Sequence, residues 1–237
     1  MSAAFEELAG RTTELGDLSL RRRVLPSLAT EVYEVKLGDE FLMSSLFTAA
    51  EVELARLGLA AVEGEDLDVV VGGLGLGYTA QAVLEDERVD TLTVVEALAD
   101  VIDWHLEGLL PEVASLASDP RTRLLHGDFF ALAAGAGFDP DGAPRQFHAV
   151  LVDIDHTPRH HLDAGNASFY TTAGLEALTR HLRPGGVFAL WSDDPPDAAF
   201  EADLDAVFAS SRSHVVAFPN PITGGEATNT VYVARLD

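Results

Sequence analysis

The stretch Asp68-Val69-Val70-Val71-Gly72-Gly73-Leu74-Gly75-Leu76-Gly77-Tyr78-Thr79 carries an apolar run into four glycines and then into a helical pattern. Leu67 to Val71 reads as a strand buried on both faces, and Ala80, Val83 and Leu84 give the next segment an apolar helical face. Glycines at such a junction allow positive φ and let a ligand approach where a Cβ would block it. The spacing is G-G-x-G-x-G, not the G-x-G-x-x-G of dinucleotide sites. Glu96 closes the following strand, Leu92-Thr93-Val94-Val95, at about the ~20-residue separation expected for a carboxylate that accepts from ribose hydroxyls. Together these features mark a nucleotide-type cofactor site, the alternative being a tight turn followed by a solvated glutamate.

Working outward, strand and helix signals alternate to the end of the chain. Strands are expected at 123–126, 147–152, 187–191, 214–218 and 230–234, and helices at 49–61, 97–109, 171–182 and 197–209. Arg183-Pro184-Gly185-Gly186 is read as a helix stop, 134–145 as a surface loop, and Asn220-Pro221-Ile222-Thr223-Gly224-Gly225 as a hairpin loop over the site. Before the glycine stretch, Glu31 to Leu37, a Gly38-Asp39 turn and Glu40 to Met43 predict a hairpin. The expectation is an α/β fold: a Rossmann-like, doubly wound, mostly parallel seven-stranded sheet over 46–237, with a small N-terminal β-hairpin extension over 1–45. Ligands of such sheets bind beyond the strand C-termini at the switch point.

Composition narrows the function. The 237 residues are 47% hydrophobic, enough for one main domain, and carry 39 Asp and Glu against 15 Lys and Arg, a formal charge of −24. Lys36 is the only lysine, so a nucleic-acid surface is not expected. Acidity on this scale suits solubility or a cationic substrate. Arg21-Arg22-Arg23 reads as a solvated strand or subunit contact. There is no cysteine, hence no disulfide or thiolate chemistry. No run of about 18 apolar residues and no secretory signal at Met1 to Glu7 is present, which points to the cytoplasm and away from the membrane.

In order along the chain, the glycine loop, Glu96, Gly127-Asp128, Val152-Asp153, Ser168-Phe169-Tyr170 and Leu182-Arg183-Pro184-Gly185-Gly186 resemble the class I S-adenosylmethionine-dependent transferases, and among them the spermidine synthase (aminopropyltransferase) branch. The resemblance covers about 31–235. It implies that Gly72, Gly73, Gly75 and Gly77 face the methionine portion of S-adenosylmethionine or its decarboxylated form. It further implies that Glu96 holds the ribose hydroxyls, Asp128 accepts from the adenine amine, and Asp153 contacts the reacting groups as the aspartate that orients and deprotonates an attacking amine. For Asp128 the plain alternative is a helix N-cap, and for Asp153 a carboxylate capping its loop. Homodimerisation is a further implication.

The sequence also departs from that family. Gly75 stands where aminopropyltransferases carry an aspartate for the aminopropyl ammonium, the family's Tyr-Gln-Glu cluster is replaced near Ala50-Glu51-Val52-Glu53, and its DSSDP-like loop reads Asp153-Ile154-Asp155-His156-Thr157-Pro158. Asp153, Asp155, His156, His160, His161 and Asp163 crowd into eleven residues. Such ligand types could hold a divalent metal, but Pro158 breaks the helix that would align His156 with His160. The reading is a substrate lid without a metal, with Asp153, Asp155 and His156 as catalytic candidates and Asn166, Tyr170 and Asp193 reaching the acceptor. Trp191 is assigned to the core. The leading expectation is a methyltransferase acting on a small amine- or hydroxyl-bearing molecule. The alternatives are a divergent polyamine aminopropyltransferase and a non-catalytic binding or dimerisation homologue.

Overall fold

The computed structural model describes residues 5–13, 16–140, 142 and 145–237. The expected N-terminal hairpin is half of a four-stranded antiparallel sheet, β1 (Phe5–Thr13), β2 (Gly16–Leu25), β3 (Thr30–Leu37) and β4 (Glu40–Ser44), ordered as in sequence. Leu20 pairs with Val35 on the buried face, while Arg23 bonds Glu34 at 2.7 Å and Arg22 pairs with Glu6, so the arginine run is spent on glutamates of its own sheet.

Helix α1 (Ala49–Ala60) leads to β5 (Leu67–Gly72), α2 (Tyr78–Leu84), β6 (Val89–Glu96), α3 (Ala99–Leu106), β7 (Thr122–His126) and α4 (Phe129–Ala134). Then follow β8 (Phe147–Val152), α5 (Thr172–Thr179), β9 (Leu182–Ser192), α6 (Ala198–Val207), β10 (Ser210–Pro219) and β11 (Glu226–Arg235). These strands form one sheet in the order β10-β11-β9-β8-β5-β6-β7. Neighbours from β9 to β7 are parallel, and β11 runs antiparallel to both β9 and β10. Chain progression reverses between β5 and β8, which makes the gap beyond their C-termini the switch point.

Every residue of β5 is buried, and its alternation feeds two cores. Val69 and Val71 pack on the face covered by α1, α2 and α3, and Val70 packs on the face with Phe129, Phe169 and Phe188. Fully burying a side chain of this size contributes roughly 1.5–3 kcal/mol, which fixes β5 as the rigid floor of the site. At its other end Asp68 is buried and bonded by Thr91 at 2.6 Å, by Arg183 at 2.7 Å and by Arg145, so its charge is compensated.

One boundary differs from expectation. Arg183 to Gly186 is not a break before the fifth strand but a bulge inside β9: between the pairs Leu182–Phe147 and Val187–Ala149 it sits opposite the single residue His148. Pro184, which cannot donate to a ladder, and Gly185, at φ +72°, are tolerated there for that reason.

Candidate active site

The glycine loop turns at the tip of β5 because three of its residues adopt positive φ: Gly73 at +92°, Gly75 at +45° and Gly77 at +89°. The turn is pinned by Gly73 N–H donating to the Val95 carbonyl at 2.9 Å and by Asp153 N–H donating to the Gly72 carbonyl at 2.8 Å. A Cβ at Gly73 would collide with the Asp153 carbonyl, and one at Gly75 with the thioether of Met43, which reaches over from β4. Gly73 and Gly75 line the cavity at this tip. Gly72 and Gly77, also expected to face the cofactor, are buried instead: a Cβ on Gly72 would lie 2.6 Å from the Phe129 ring, and one on Gly77 2.8 Å from His105. Both are closely packed, and Gly77 borders a small crevice beside Glu51 and Asp153.

Glu96 ends β6 with its side chain buried under the loop. Its Oε2 accepts from Leu74 N–H at 3.0 Å and Gly75 N–H at 3.4 Å, and its Oε1 from Leu98 N–H at 2.9 Å. Burial raises its pKa, and those backbone donors oppose the rise. Glu96 also lines the cavity. Asp128 caps α4, its Oδ1 accepting from Phe130 N–H at 2.8 Å and Ala131 N–H at 3.2 Å. The N-cap alternative is therefore realised, while both capping bonds fall on one oxygen and Asp128 still lines the cavity.

At the tip of β8, Asp153 accepts from the Thr79 hydroxyl at 2.7 Å. Burial pushes its pKa up to about 6, with the Thr79 bond opposing. Facing it from the first turn of α1 is Glu51, pushed up to about 8 by burial first and then by the negative charges of Asp153 and Asp193. Burial of both groups, and the charge of Asp153 on Glu51, favour a shared proton over two negative charges.

The histidine-rich loop has two sides. Asp155, expected to act in catalysis, is 1% exposed and off the cavity wall. It accepts from Leu162 N–H at 2.6 Å, from the Asn166 amide at 3.0 Å and from the Tyr170 hydroxyl at 2.9 Å, and so organises the loop from within. Tyr170, expected to reach substrate, is likewise buried against it, which raises the phenol pKa. Asn166 lines the cavity but spends its amide on Asp155. Neighbouring His156 turns the other way, onto the cavity wall, with Nε2 at 3.0 Å from Glu40 of β4 and its carbonyl accepting from Asp193 N–H at 2.8 Å. Asp193, on the same wall, accepts from Asn229 at 2.7 Å. Among the described residues no three His, Asp or Glu side chains converge as a metal-ligand set.

These groups surround a cavity of about 1050 Å³ roofed by the N-terminal sheet and by the β10–β11 turn, where Asn220 N–H donates to Gly225 at 2.9 Å. Seven carboxylates line it, those of Glu40, Glu51, Glu96, Asp128, Asp153, Asp163 and Asp193, and no lysine or arginine does so among the described residues. Trp191, assigned above to the core, is half-buried on this wall. Glu40, Met43, Trp191 and Phe218 were not legible as site residues, since each arrives through packing between distant segments.

Solved structures share this architecture. Spermidine synthase from Thermotoga maritima matches with a TM-score of 0.72 and 16% identity over 98% of this chain and 72% of that one. A spermidine synthase in complex with the transition-state analogue AdoDATO matches at 0.73 and 16%, over 98% and 74%. Human methyltransferase-like protein 13 in complex with SAH matches at 0.59 and 18%, over 79% and 82%. No family model matches the sequence. The chain therefore has the spermidine synthase-like form of the class I methyltransferase fold.

Proposed function

We propose that this chain is a transferase that takes its group from an adenosyl sulfonium donor, S-adenosylmethionine or its decarboxylated form, and delivers it to a small amine. The supporting observation is one cavity at the switch point that joins the strand-end carboxylate Glu96 to the pair Glu51 and Asp153, with no lysine or arginine among the described wall residues. Glu96 accepts from the ribose hydroxyls, the free oxygen of Asp128 from the adenine amine, and the missing side chains of Gly73 and Gly75 admit the centre of the donor. When bound, the donor supplies an electrophilic carbon on sulfur, and the chain has to hold the acceptor and handle its proton.

Glu51 and Asp153 receive the acceptor as an ammonium. His156 donates Nε2–H to Glu40, which leaves Nδ1 as the proton acceptor. One ammonium proton would pass first to His156 Nδ1 and free the nitrogen lone pair; that lone pair would form the new bond to carbon as the carbon–sulfur bond breaks, the bond's electron pair would leave with the neutral thioether, and the product would remain an ammonium beside Glu51 and Asp153. Asp155 stays outside this step and holds the loop that presents His156.

Methyl transfer is the first reading. Gly75, covered by Met43, provides no carboxylate for an aminopropyl ammonium. Aminopropyl transfer is the second, and two observations favour it: no lysine or arginine among the described wall residues to meet the donor's amino-acid carboxylate, and an N-terminal sheet included in the 98% span shared with spermidine synthase. Mass spectrometry of amines incubated with each donor separates them. Methylated product from S-adenosylmethionine supports the first, aminopropylated product from the decarboxylated donor replaces it with the second, and binding without product from either leaves a non-catalytic homologue.

A further inference from the structure

The cavity has two unlike ends, and the acceptor end is built for more than an ammonium. Beyond the Glu51–Asp153 pair its walls are Phe41, Phe47, Trp191 and Phe218, over a floor of Val35 and Leu37. They come from the N-terminal sheet, the approach to α1, the tip of β9 and the end of β10. Phe47 and Phe218, far apart in sequence, bring their ring centroids to 6.0 Å at an interplanar angle of 50°. Phe41 is 46% exposed inside this concavity. Accessible aromatic surface grouped in a pocket marks a place where a ligand removes it from water.

The polar groups at this end are unevenly available. Glu51 accepts a hydrogen bond from its own backbone N–H, and with Asp153 it presents one focus of negative charge at the base. The other carboxylates on this wall each hold a protein contact through one oxygen, and the floor between them is apolar. Glu40 bonds His156, Asp163 caps the 3₁₀ turn Ala164–Ser168 through Gly165 N–H at 2.6 Å, and Asp193 holds Asn229. A cation laid against Val35 and Leu37 would be desolvated without compensation.

We infer that the acceptor is an arylalkylamine: one ammonium seated between Glu51 and Asp153, and an aromatic body held by Phe41, Phe47, Trp191 and Phe218. This rests on the transferase reading and specifies its substrate class.

Calorimetry tests it on the full chain saturated with S-adenosylhomocysteine or 5′-methylthioadenosine, titrated with 2-phenylethylamine and, separately, with 1,4-diaminobutane. The expected result is binding of the aryl amine at least about tenfold tighter, the scale set by burying one ring. Phe218→Ser and Phe47→Ser should each lower that affinity about tenfold and leave thioether affinity unchanged. Equal or tighter binding of the diamine, no binding of either amine, or indifference to both substitutions overturns the inference while leaving the adenosyl site standing. If neither thioether binds, the transferase reading fails, and the same ranking of amines on the free protein still decides the inference.

Discussion

Glu51 sets the pH behaviour of the site through a carboxyl group whose folded pKa, about 8, lies above its ordinary 4.5. Between those values the folded chain keeps a proton that the unfolded chain releases, so this group's contribution to stability falls as pH rises from about 4.5 to about 8 and is level outside that window. Glu51→Gln removes the slope. Thermal melts of the variant and the wild type should agree near pH 4.5, and the variant should be the more stable at pH 8 by on the order of 4 kcal/mol; parallel curves would show that Glu51 titrates as a solvated side chain. Gly73 makes the second residue-scale prediction. Its φ of +92° and the backbone oxygen of Asp153 leave a Cβ no way to relax. Gly73→Ala should cost about 2–4 kcal/mol in denaturant melts, and a cost below about 0.5 kcal/mol would mean the loop is softer than described. Gly73, Glu96 and Asp153 were legible in the sequence because local spacing at strand ends defines them. Glu51 was not, because its proximity to Asp153 depends on how α1 packs over β8.

The loop from 153 to 170 shows how an element divides identical chemistry between structure and site. Two carboxylates two residues apart, Asp153 and Asp155, read alike in sequence. The chain path turns one into the cavity and the other inward onto Leu162, Asn166 and Tyr170. Asp155→Ala strands the buried Tyr170 hydroxyl and frees the Leu162 amide. Hydrogen exchange over 156–166 should therefore quicken by at least about tenfold and stability should fall by about 2–4 kcal/mol. Unchanged exchange would mean that other contacts hold the loop. The same element-scale limit applies to the bulge in β9, where Pro and Gly mimic a helix stop. By contrast β5 was readable at once, since four β-favouring residues between Leu67 and Val71 at a glycine junction have few other solutions.

At the scale of the molecule, the seven-stranded sheet and its switch point follow from the alternation of strand and helix signals, and the site lies where that topology puts it. The second sheet contributes what topology alone does not: a roof that brings Glu40, Met43 and Phe41 across the strand tips and turns an open crevice into a cavity of about 1050 Å³. The chain's surplus of 24 negative charges is expressed there as a wall of carboxylates without a lysine or arginine among the described residues, which favours cationic ligands. The central claim is that an adenosyl group lies across the ends of β5, β6 and β7. A crystal structure of the protein soaked in 5′-methylthioadenosine tests it most directly: the prediction is ribose hydroxyls on Glu96 and the adenine amine beside Asp128, and a crevice filled by the protein's own side chains, or a nucleoside bound elsewhere, would contradict it.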